Sequence, residues 1–244
     1  MNELRLARPR DVGDLFRDSI GVYLRHFWTF LALSAVVVVP ASLVVSGIGL
    51  EELTGSYDSS PSLADATVPT LVSFLVVAPL VTAICIYALR HVAEGRAPRA
   101  GESIVAGFEA FAPIFLAVLL MAAGIALGLL LFVIPGVYVA VRWFFVPQAV
   151  VLEGARGAEA LAASYRTVEG SWWRTFALVI LAQIAIAIPA VVLAAPFMAI
   201  AESTDRAVWA LSGSIVAETV TTPFQAIFST LLWFDLRARG PGTV

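Results

Sequence analysis

The sequence has little charge. Only 14% of its 244 residues are charged, whereas 60% are hydrophobic. An ordinary soluble domain carries about 25% charged residues, so this chain has too little polar surface to be a soluble globule. The charge is missing mainly from long apolar runs. We therefore expect an integral membrane protein with almost no mass outside the bilayer.

The residues and motifs of common catalytic sites are also scarce. A single cysteine, Cys85, excludes an intrachain disulfide, and within an apolar run we expect it to behave as a small hydrophobic residue. There is no GxxxxGK[ST], no HExxH and no paired-cysteine spacing. Both histidines, His26 and His91, stand at the ends of apolar runs. We predict that the protein is not an enzyme and has no cofactor, metal site or nucleic-acid partner.

Six apolar runs are candidates to cross a membrane. A helix rises about 1.5 Å per residue, so about 20 apolar residues cross a hydrocarbon layer of about 30 Å. Five runs are long enough. The fourth is shorter and contains Arg142, so it can be either a full span or a re-entrant segment. The runs are 27–50, 66–89, 110–134, 137–152, 175–201 and 207–234.

Three of the runs follow stretches in which apolar residues recur at three- and four-residue steps, which is typical of amphipathic helices. Such a helix can lie in the membrane interface or pack beneath the bundle, and for the first stretch the sequence leaves both open. The apolar residues are Val12, Phe16, Ile20, Tyr23 and Phe27, then Ile104, Phe108, Phe111 and Phe115, then Leu161, Tyr165, Val168 and Trp172. We predict an all-α polytopic membrane protein with six transmembrane spans arranged as three hairpins, each preceded by an amphipathic interfacial helix.

The order of an amphipathic helix followed by two spans therefore occurs three times within one membrane domain, residues 1–244. Sliding the sequence on itself places Phe27, Phe111 and Trp172 at equivalent positions, and the repeats cover approximately 11–92, 101–152 and 157–236. Some transporters are built from parallel repeats of this kind. The alternative is that such hairpins recur only because of how helices insert into membranes.

Two short motifs predict, respectively, a chain reversal and a close contact between helices. Pro135-Gly136 predicts the reversal between the third and fourth runs. Gly124 and Gly128 form a GxxxG pattern, which allows another helix to approach closely.

The distribution of arginine predicts the topology. All fifteen basic residues are arginine, and thirteen of them fall in the N-terminus, the C-terminus and the segments 90–109 and 153–174. Six spans place these four segments on one side and leave Arg206 as the only arginine opposite. Because basic residues favour the cytoplasmic side, we predict a multi-pass protein of the bacterial cytoplasmic (inner) membrane with both termini in the cytoplasm.

Three polar residues inside the apolar runs form the candidate site: Arg142, Glu218 and Gln183. A charge at the centre of a membrane costs at least about 2.5–3.5 kcal/mol, so it usually faces protein or water and finds a partner. We hypothesise an ion pair between Arg142 and Glu218. It would either lock two spans together or mark a polar cavity.

Several stretches resemble a bacterial family of multispan proteins labelled the glycerophosphoryl diester phosphodiesterase membrane domain. The matching residues are Arg8-Pro9, Phe16-Arg17, Tyr23 to Phe27, Ile134-Pro135-Gly136, Arg142-Trp143, Pro147, Glu153-Gly154, Ser164-Tyr165-Arg166, Trp172-Trp173-Arg174, Pro223-Phe224 and Leu232 to Arg237. The resemblance covers nearly the whole chain and implies a six-span helical protein. It does not imply phosphodiesterase activity, which in fused relatives belongs to a separate soluble barrel domain.

Two functions are therefore open. The first is a non-enzymatic membrane organiser that binds lipids, other membrane proteins or itself. The second is a small transporter or lipid-handling permease with a polar site around Arg142, Glu218 and Gln183. An intramembrane enzyme is a remote third, because Glu218 alone supplies neither a nucleophile–base pair nor a metal site.

Overall fold

The computed structural model describes residues 8–47, 55–57 and 63–240. These residues are largely helical and contain no β-strand, so the all-α prediction is confirmed. A helix satisfies its backbone hydrogen bonds internally, which suits apolar sequence placed in lipid. The acidic stretch between the first two runs lies mostly outside the described residues.

The helices are numbered here in chain order. The third continues through one π-helical turn, Ser73–Val77, into the fourth. Their bounds are α1 Val12–Arg25, α2 Phe27–Gly47, α3 Leu63–Val72, α4 Ala78–Ala93, α5 Ala100–Glu109, α6 Phe111–Leu131, α7 Val133–Arg142, α8 Val146–Glu153, α9 Ala158–Val168, α10 Trp172–Thr204 and α11 Ala207–Arg239.

Six helical segments among the described residues are long and apolar enough to cross a membrane, and each coincides with one of the predicted runs. They are Phe27–Val45, Thr67–Ala93, Phe111–Leu131, Val133–Glu153, Trp172–Thr204 and Ala207–Arg239. The fourth is interrupted between α7 and α8 by a turn at residues 143–145. Pro147 lies at the start of α8, where its missing N–H is not needed.

The reversal between α6 and α7 differs from the prediction. The chain turns at Phe132, whose backbone is extended, and Pro135-Gly136 falls in the first turn of α7, where proline is tolerated. Gly136 serves helix contact instead, because a Cβ added at Gly128 would lie 2.9 Å from its Cα. A Cβ at Gly124 would collide with the Trp143 ring. The predicted close approach of a helix is thus found at Gly128, where the partner is α7, whereas Gly124 accommodates the ring of Trp143 from the turn after α7.

The centre of the molecule is formed by α4, α8 and the C-terminal half of α11, in each of which more than half of the residues are buried. A short helix packs against each of them: α1 against α11, α5 against α4 and α9 against α8. Phe16 of α1 lies 4.9 Å from Phe228, ring to ring. Gly107 of α5 leaves no room for a Cβ beside Ile84 of α4. Each of the three central helices thus has one short helix packed against it.

The predicted apolar stripes of the short helices are only partly buried. Val12, Ile20, Phe108 and Tyr165 are exposed. The sides that face the protein carry many small residues, among them Ser19 in α1, Ser103 and Gly107 in α5, and Ala163 and Ser164 in α9. Small side chains allow helices to approach closely, which explains why they line the contact.

Burial recurs at equivalent positions of the three predicted repeats. Ser19, Ser103 and Ser164 are fully buried, and each precedes, by the same number of residues, the start of a long helix at Phe27, Phe111 or Trp172. One turn into those helices, Phe30, Ile114 and Thr175 are also fully buried.

Candidate functional site

Arg142 stands at the end of α7, against α9. Its Nε and one terminal nitrogen donate to the Tyr138 hydroxyl at 3.1 and 2.9 Å. The other terminal nitrogen donates to the Tyr165 carbonyl at 3.3 Å. The guanidinium carbon also lies 4.2 Å from the centre of the Tyr165 ring, within the range of a cation–π interaction. The charge is therefore held by aromatic groups and a carbonyl.

The aromatic groups around Arg142 continue into the start of α10. Tyr138 stacks on Trp172 with ring centres 5.7 Å apart, and the Trp172 indole N–H donates to the Tyr138 carbonyl at 3.3 Å. Trp172 in turn stacks on Phe176 at 5.2 Å. This cluster joins α7, α9 and α10, and the Trp172-Trp173 pair of the sequence belongs to it.

Glu218 is half-buried near the middle of α11 and lies beside the π-helical turn. The Ser73 hydroxyl, in the first residue of that turn, donates to the Glu218 carboxylate. A single π-helical turn widens a helix and often occurs at functional sites. Here the turn lies next to Glu218, the one carboxyl group within the six apolar runs.

The backbone of α11 is also irregular next to Glu218. Pro223 has no N–H to donate, so the carbonyl of Thr219, four residues earlier, loses its helical partner. The Tyr23 hydroxyl of α1 donates to the next carbonyl along, that of Val220, at 2.7 Å. Thr219 is buried, and its hydroxyl has no hydrogen-bond partner within the described part of the chain.

Gln183 lies on a different surface. It is exposed on α10, next to the exposed side chains of Ile180 and Ile184. Among the residues that the structure describes, none forms a hydrogen bond with its amide.

The structure therefore does not bring the three predicted site residues together. Arg142 is bound by Tyr138 and Tyr165, and the hypothesised ion pair with Glu218 is not formed. The spacing in the sequence suggested similar depths for the two charges. It did not show that α7 ends at Arg142 and directs this residue toward α9.

A charged network that the sequence analysis did not assign to a site lies where α1, α10 and α11 meet. Asp235 is fully buried and accepts hydrogen bonds from the Arg10 backbone N–H at 2.6 Å, Arg174 at 3.0 Å and Arg239 at 3.0 Å. The fully buried Arg10 side chain pairs with Asp18 at 2.9 Å. A carboxylate inside the apolar stretch Leu232 to Leu236 was the available signal for this network.

The protonation of Asp18 reflects this setting. Burial by itself raises the pKa of Asp18, but hydrogen bonds from Arg8 and Arg10 outweigh burial, and the net pKa lies below that of a free carboxyl group. The same contact with Asp18 raises the pKa of Arg8. The pair is thus charged at neutral pH.

A second buried polar contact joins two of the central helices. The Gln148 amide nitrogen of α8 donates to the Ser229 hydroxyl of α11 at 2.8 Å, and both side chains are buried. The rings of Phe145, just before α8, and Trp233 of α11 also lie in contact, with centres 5.8 Å apart. No group of three His, Cys, Asp or Glu side chains within 8–47, 55–57 and 63–240 is placed to hold a metal ion.

Comparison with known proteins gives one match. Neither the curated proteins nor the solved structures include a similar sequence or fold. A family model described as a domain of unknown function, DUF7847, matches residues 68–236. That range runs from α3 through α11 and covers more than half of the chain. The protein therefore belongs to the DUF7847 family.

Proposed function

We propose that this protein is a non-enzymatic organiser of a bacterial cytoplasmic membrane that associates, through α10, with a second copy of itself. The observation that carries the proposal is the exposed amide of Gln183 on an otherwise apolar helix face. An amide that faces hydrocarbon without a hydrogen-bond partner costs free energy. A neighbouring helix that supplies a donor and an acceptor removes that cost.

A second copy of the chain is the partner that the chemistry of this amide favours. A glutamine side chain both donates and accepts hydrogen bonds, so two copies of the same face, related by a two-fold axis, satisfy each other. Hydrogen bonds between membrane helices contribute about 0.6–2 kcal/mol. The most apolar part of α10 is also left mostly exposed, so a partner helix has room to pack there.

The remaining expectations about architecture are part of this proposal. The buried serines at equivalent positions, Ser19, Ser103 and Ser164, support three hairpins that are each preceded by an amphipathic helix. The arginine-rich network around Asp235 and the lone Arg206 at the other end of α11 support cytoplasmic termini. The resemblance to phosphodiesterase membrane domains fits the same architecture without their soluble barrel.

Self-association in liposomes tests the proposal. Single-molecule photobleaching counts the copies per complex as protein density is varied. We expect dimers, and we expect Gln183→Leu to weaken them by about three- to tenfold, which corresponds to one interhelical hydrogen bond. Ile180→Leu, about one turn earlier on the same exposed side of α10, is the matched control and should leave dimerisation unchanged. A protein that stays monomeric at every density, or dimers indifferent to Gln183→Leu, would disprove it.

A permease is the second candidate, and for it we propose a site at Glu218. The observation in its favour is Glu218, half-buried against Ser73 at a π-helical turn. A transport site must be reached by water, so cysteine at position 218, in a Cys85→Ala background, should react with a small polar thiol reagent. Absence of reaction in every condition would count against transport.

A further inference from the structure

The end of the hairpin formed by α6 and α7 is apolar and exposed. Five consecutive residues there are among the most exposed apolar side chains of the protein: Leu130 83%, Leu131 65%, Phe132 77%, Val133 68% and Ile134 82%. The corresponding connection between α10 and α11 contains Glu202, Asp205 and Arg206. The connection between α10 and α11 is thus polar, as expected in water. The hairpin tip, residues 130–134, is apolar, as expected in hydrocarbon.

The other end of α7 is attached to a helix that carries charge. The Ser164 hydroxyl of α9 donates to the Arg142 carbonyl at 2.8 Å and accepts from the Phe145 backbone N–H at 3.1 Å. The neighbouring residues Arg166 and Glu169 are exposed. Exposed charges avoid the hydrocarbon, so the end of α7 lies at the edge of the hydrocarbon on the side of α9.

A second contact places the middle of α7 near that same edge. The Trp172 indole, at the first residue of α10, bonds to the Tyr138 carbonyl. Two residues further along α10, Arg174 binds Asp235, which belongs to the charged network with Arg10. Tyr138 therefore lies on the side of the membrane that holds the charged network around Asp235.

The length of α7 then limits how deep the tip reaches. α7 has 10 residues, which at about 1.5 Å per residue is about 15 Å. The hydrocarbon is about 30 Å thick, so even with α7 along the membrane normal the tip reaches no deeper than about its middle. By contrast α10, which starts on the same side, has 33 residues and a length of about 50 Å.

The position of α6 agrees with a hairpin that stays on one side. A Cβ added at Gly157, in the connection before α9, would lie 3.8 Å from the Leu120 side chain. The middle of α6 is therefore adjacent to a connection that also contains the exposed Arg156. A helix of this length placed in that way is inclined to the membrane normal.

The residue that reverses the chain at the tip keeps its backbone hydrogen bonds. The Phe132 N–H donates to the Gly128 carbonyl at 3.0 Å, and the Phe132 carbonyl accepts from the Gly136 N–H at 3.3 Å. Irregular backbone is costly in lipid because its polar groups are unpaired. Here the residue that reverses the chain has both of its polar groups paired.

We propose that α6 and α7 form a re-entrant hairpin that inserts into the leaflet on the side of α9 and places its tip among the acyl chains near the bilayer centre. The chain then crosses the membrane four times. α5, α9 and both termini still lie on one side of the membrane, as they would with six crossings. The lipid-facing tip occupies one leaflet only. This inference does not depend on self-association through α10.

Spin labelling tests the depth of the tip. In a Cys85→Ala background, a nitroxide is attached at Phe132→Cys, and its collisions with oxygen and with a water-soluble nickel chelate are measured in liposomes. The reference depths come from Val192→Cys, near the middle of α10 and on the side opposite Gln183, and from Arg156→Cys and Ser203→Cys. We expect strong oxygen and weak nickel collisions at position 132, at about half the depth that separates positions 156 and 203.

Two outcomes would overturn the proposal. One is a label at position 132 that is as accessible to the nickel chelate as the label at 203, since the hairpin would then cross the bilayer. The other is weak collision with both reagents, since the tip would then be covered by protein. Leu130→Cys, also at the exposed tip, replaces Phe132→Cys if that variant does not fold, and the same two readings apply to it.

Discussion

The two last helices have the same length and lie side by side, but they have opposite surroundings. α10 and α11 each contain 33 residues and pack against each other. In the most apolar part of α11, 61% of the residues are buried within the protein, whereas in α10 only 11% are. The two helices thus differ in what covers them and not in length.

The more buried of the two is also the less apolar. α11 carries Glu218, Ser229 and Asp235, which find Ser73, Gln148 and the arginines as partners. α10 is almost entirely apolar, and its one amide, Gln183, is exposed. In a bilayer the protein interior is where polar groups find partners, so high hydropathy marks contact with lipid and moderate hydropathy marks the core. Changes matched between α10 and α11 test this contrast.

The largest effect is expected from the buried carboxylate of α11. Asp235→Asn keeps the shape of the side chain but leaves Arg174 and Arg239 beside a neutral group. Removing one partner of a buried ion pair costs about 3–5 kcal/mol. Heating the detergent-solubilised protein with a thiol-reactive dye measures the loss, because the single cysteine, Cys85, is buried and reacts only on unfolding.

The control is Glu159→Gln in α9, where the carboxylate is exposed. It should leave the unfolding midpoint nearly unchanged. Equal midpoints for Asp235→Asn and Glu159→Gln would show that the network around Asp235 contributes nothing to stability.

One identical substitution in both helices compares them directly. Ile227 of α11 is fully buried, whereas Ile188 of α10 is 62% exposed. Ile→Ala in a packed core costs about 2–5 kcal/mol, because a cavity remains. At a lipid-facing position the acyl chains fill the space, and we expect less than about 0.5 kcal/mol, as for other surface substitutions. Ile188 lies five residues after Gln183 and therefore on a different side of α10 from the proposed contact with a second copy. Labelling of Cys85 on heating measures both variants. If Ile188→Ala were as damaging as Ile227→Ala, this side of α10 would also be covered by protein.

The contrast between α10 and α11 also shows what the sequence could predict. The apolar runs located the candidate spans, because length and hydropathy are properties of one helix. The partners of Arg142 and Glu218 could not be read in the same way, because they depend on where a helix ends and how it is rotated. The break at residues 143–145 orients Arg142 toward Tyr165, and the π-helical turn orients Ser73 toward Glu218. Neither feature has a periodic pattern that marks it.

A smaller effect is expected from the amide contact between α8 and α11. Ser229→Ala removes the acceptor of the Gln148 amide and leaves a buried donor unpaired, which costs about 1–3 kcal/mol. Ser214→Ala is the matched control, because Ser214 is on the same helix but exposed and bonded only within it. The cysteine-based unfolding midpoint again measures both. A Ser229→Ala protein as stable as the control would mean that Gln148 finds another partner.

The smallest effect concerns pH and the attachment of α1 to α11. Because the net pKa of Asp18 is lowered in the folded protein, its ion pairs stabilise the fold fully above the ordinary carboxyl pKa of about 3.9, and this contribution is lost as pH falls through the lowered value. The unfolding midpoint of the wild-type protein should therefore fall more steeply below about pH 4 than that of Asp18→Asn. Glu202→Gln, at the exposed end of α10, should follow the wild-type curve. Parallel curves for wild type and Asp18→Asn would show that Arg8 and Arg10 hold α1 in place without this carboxylate.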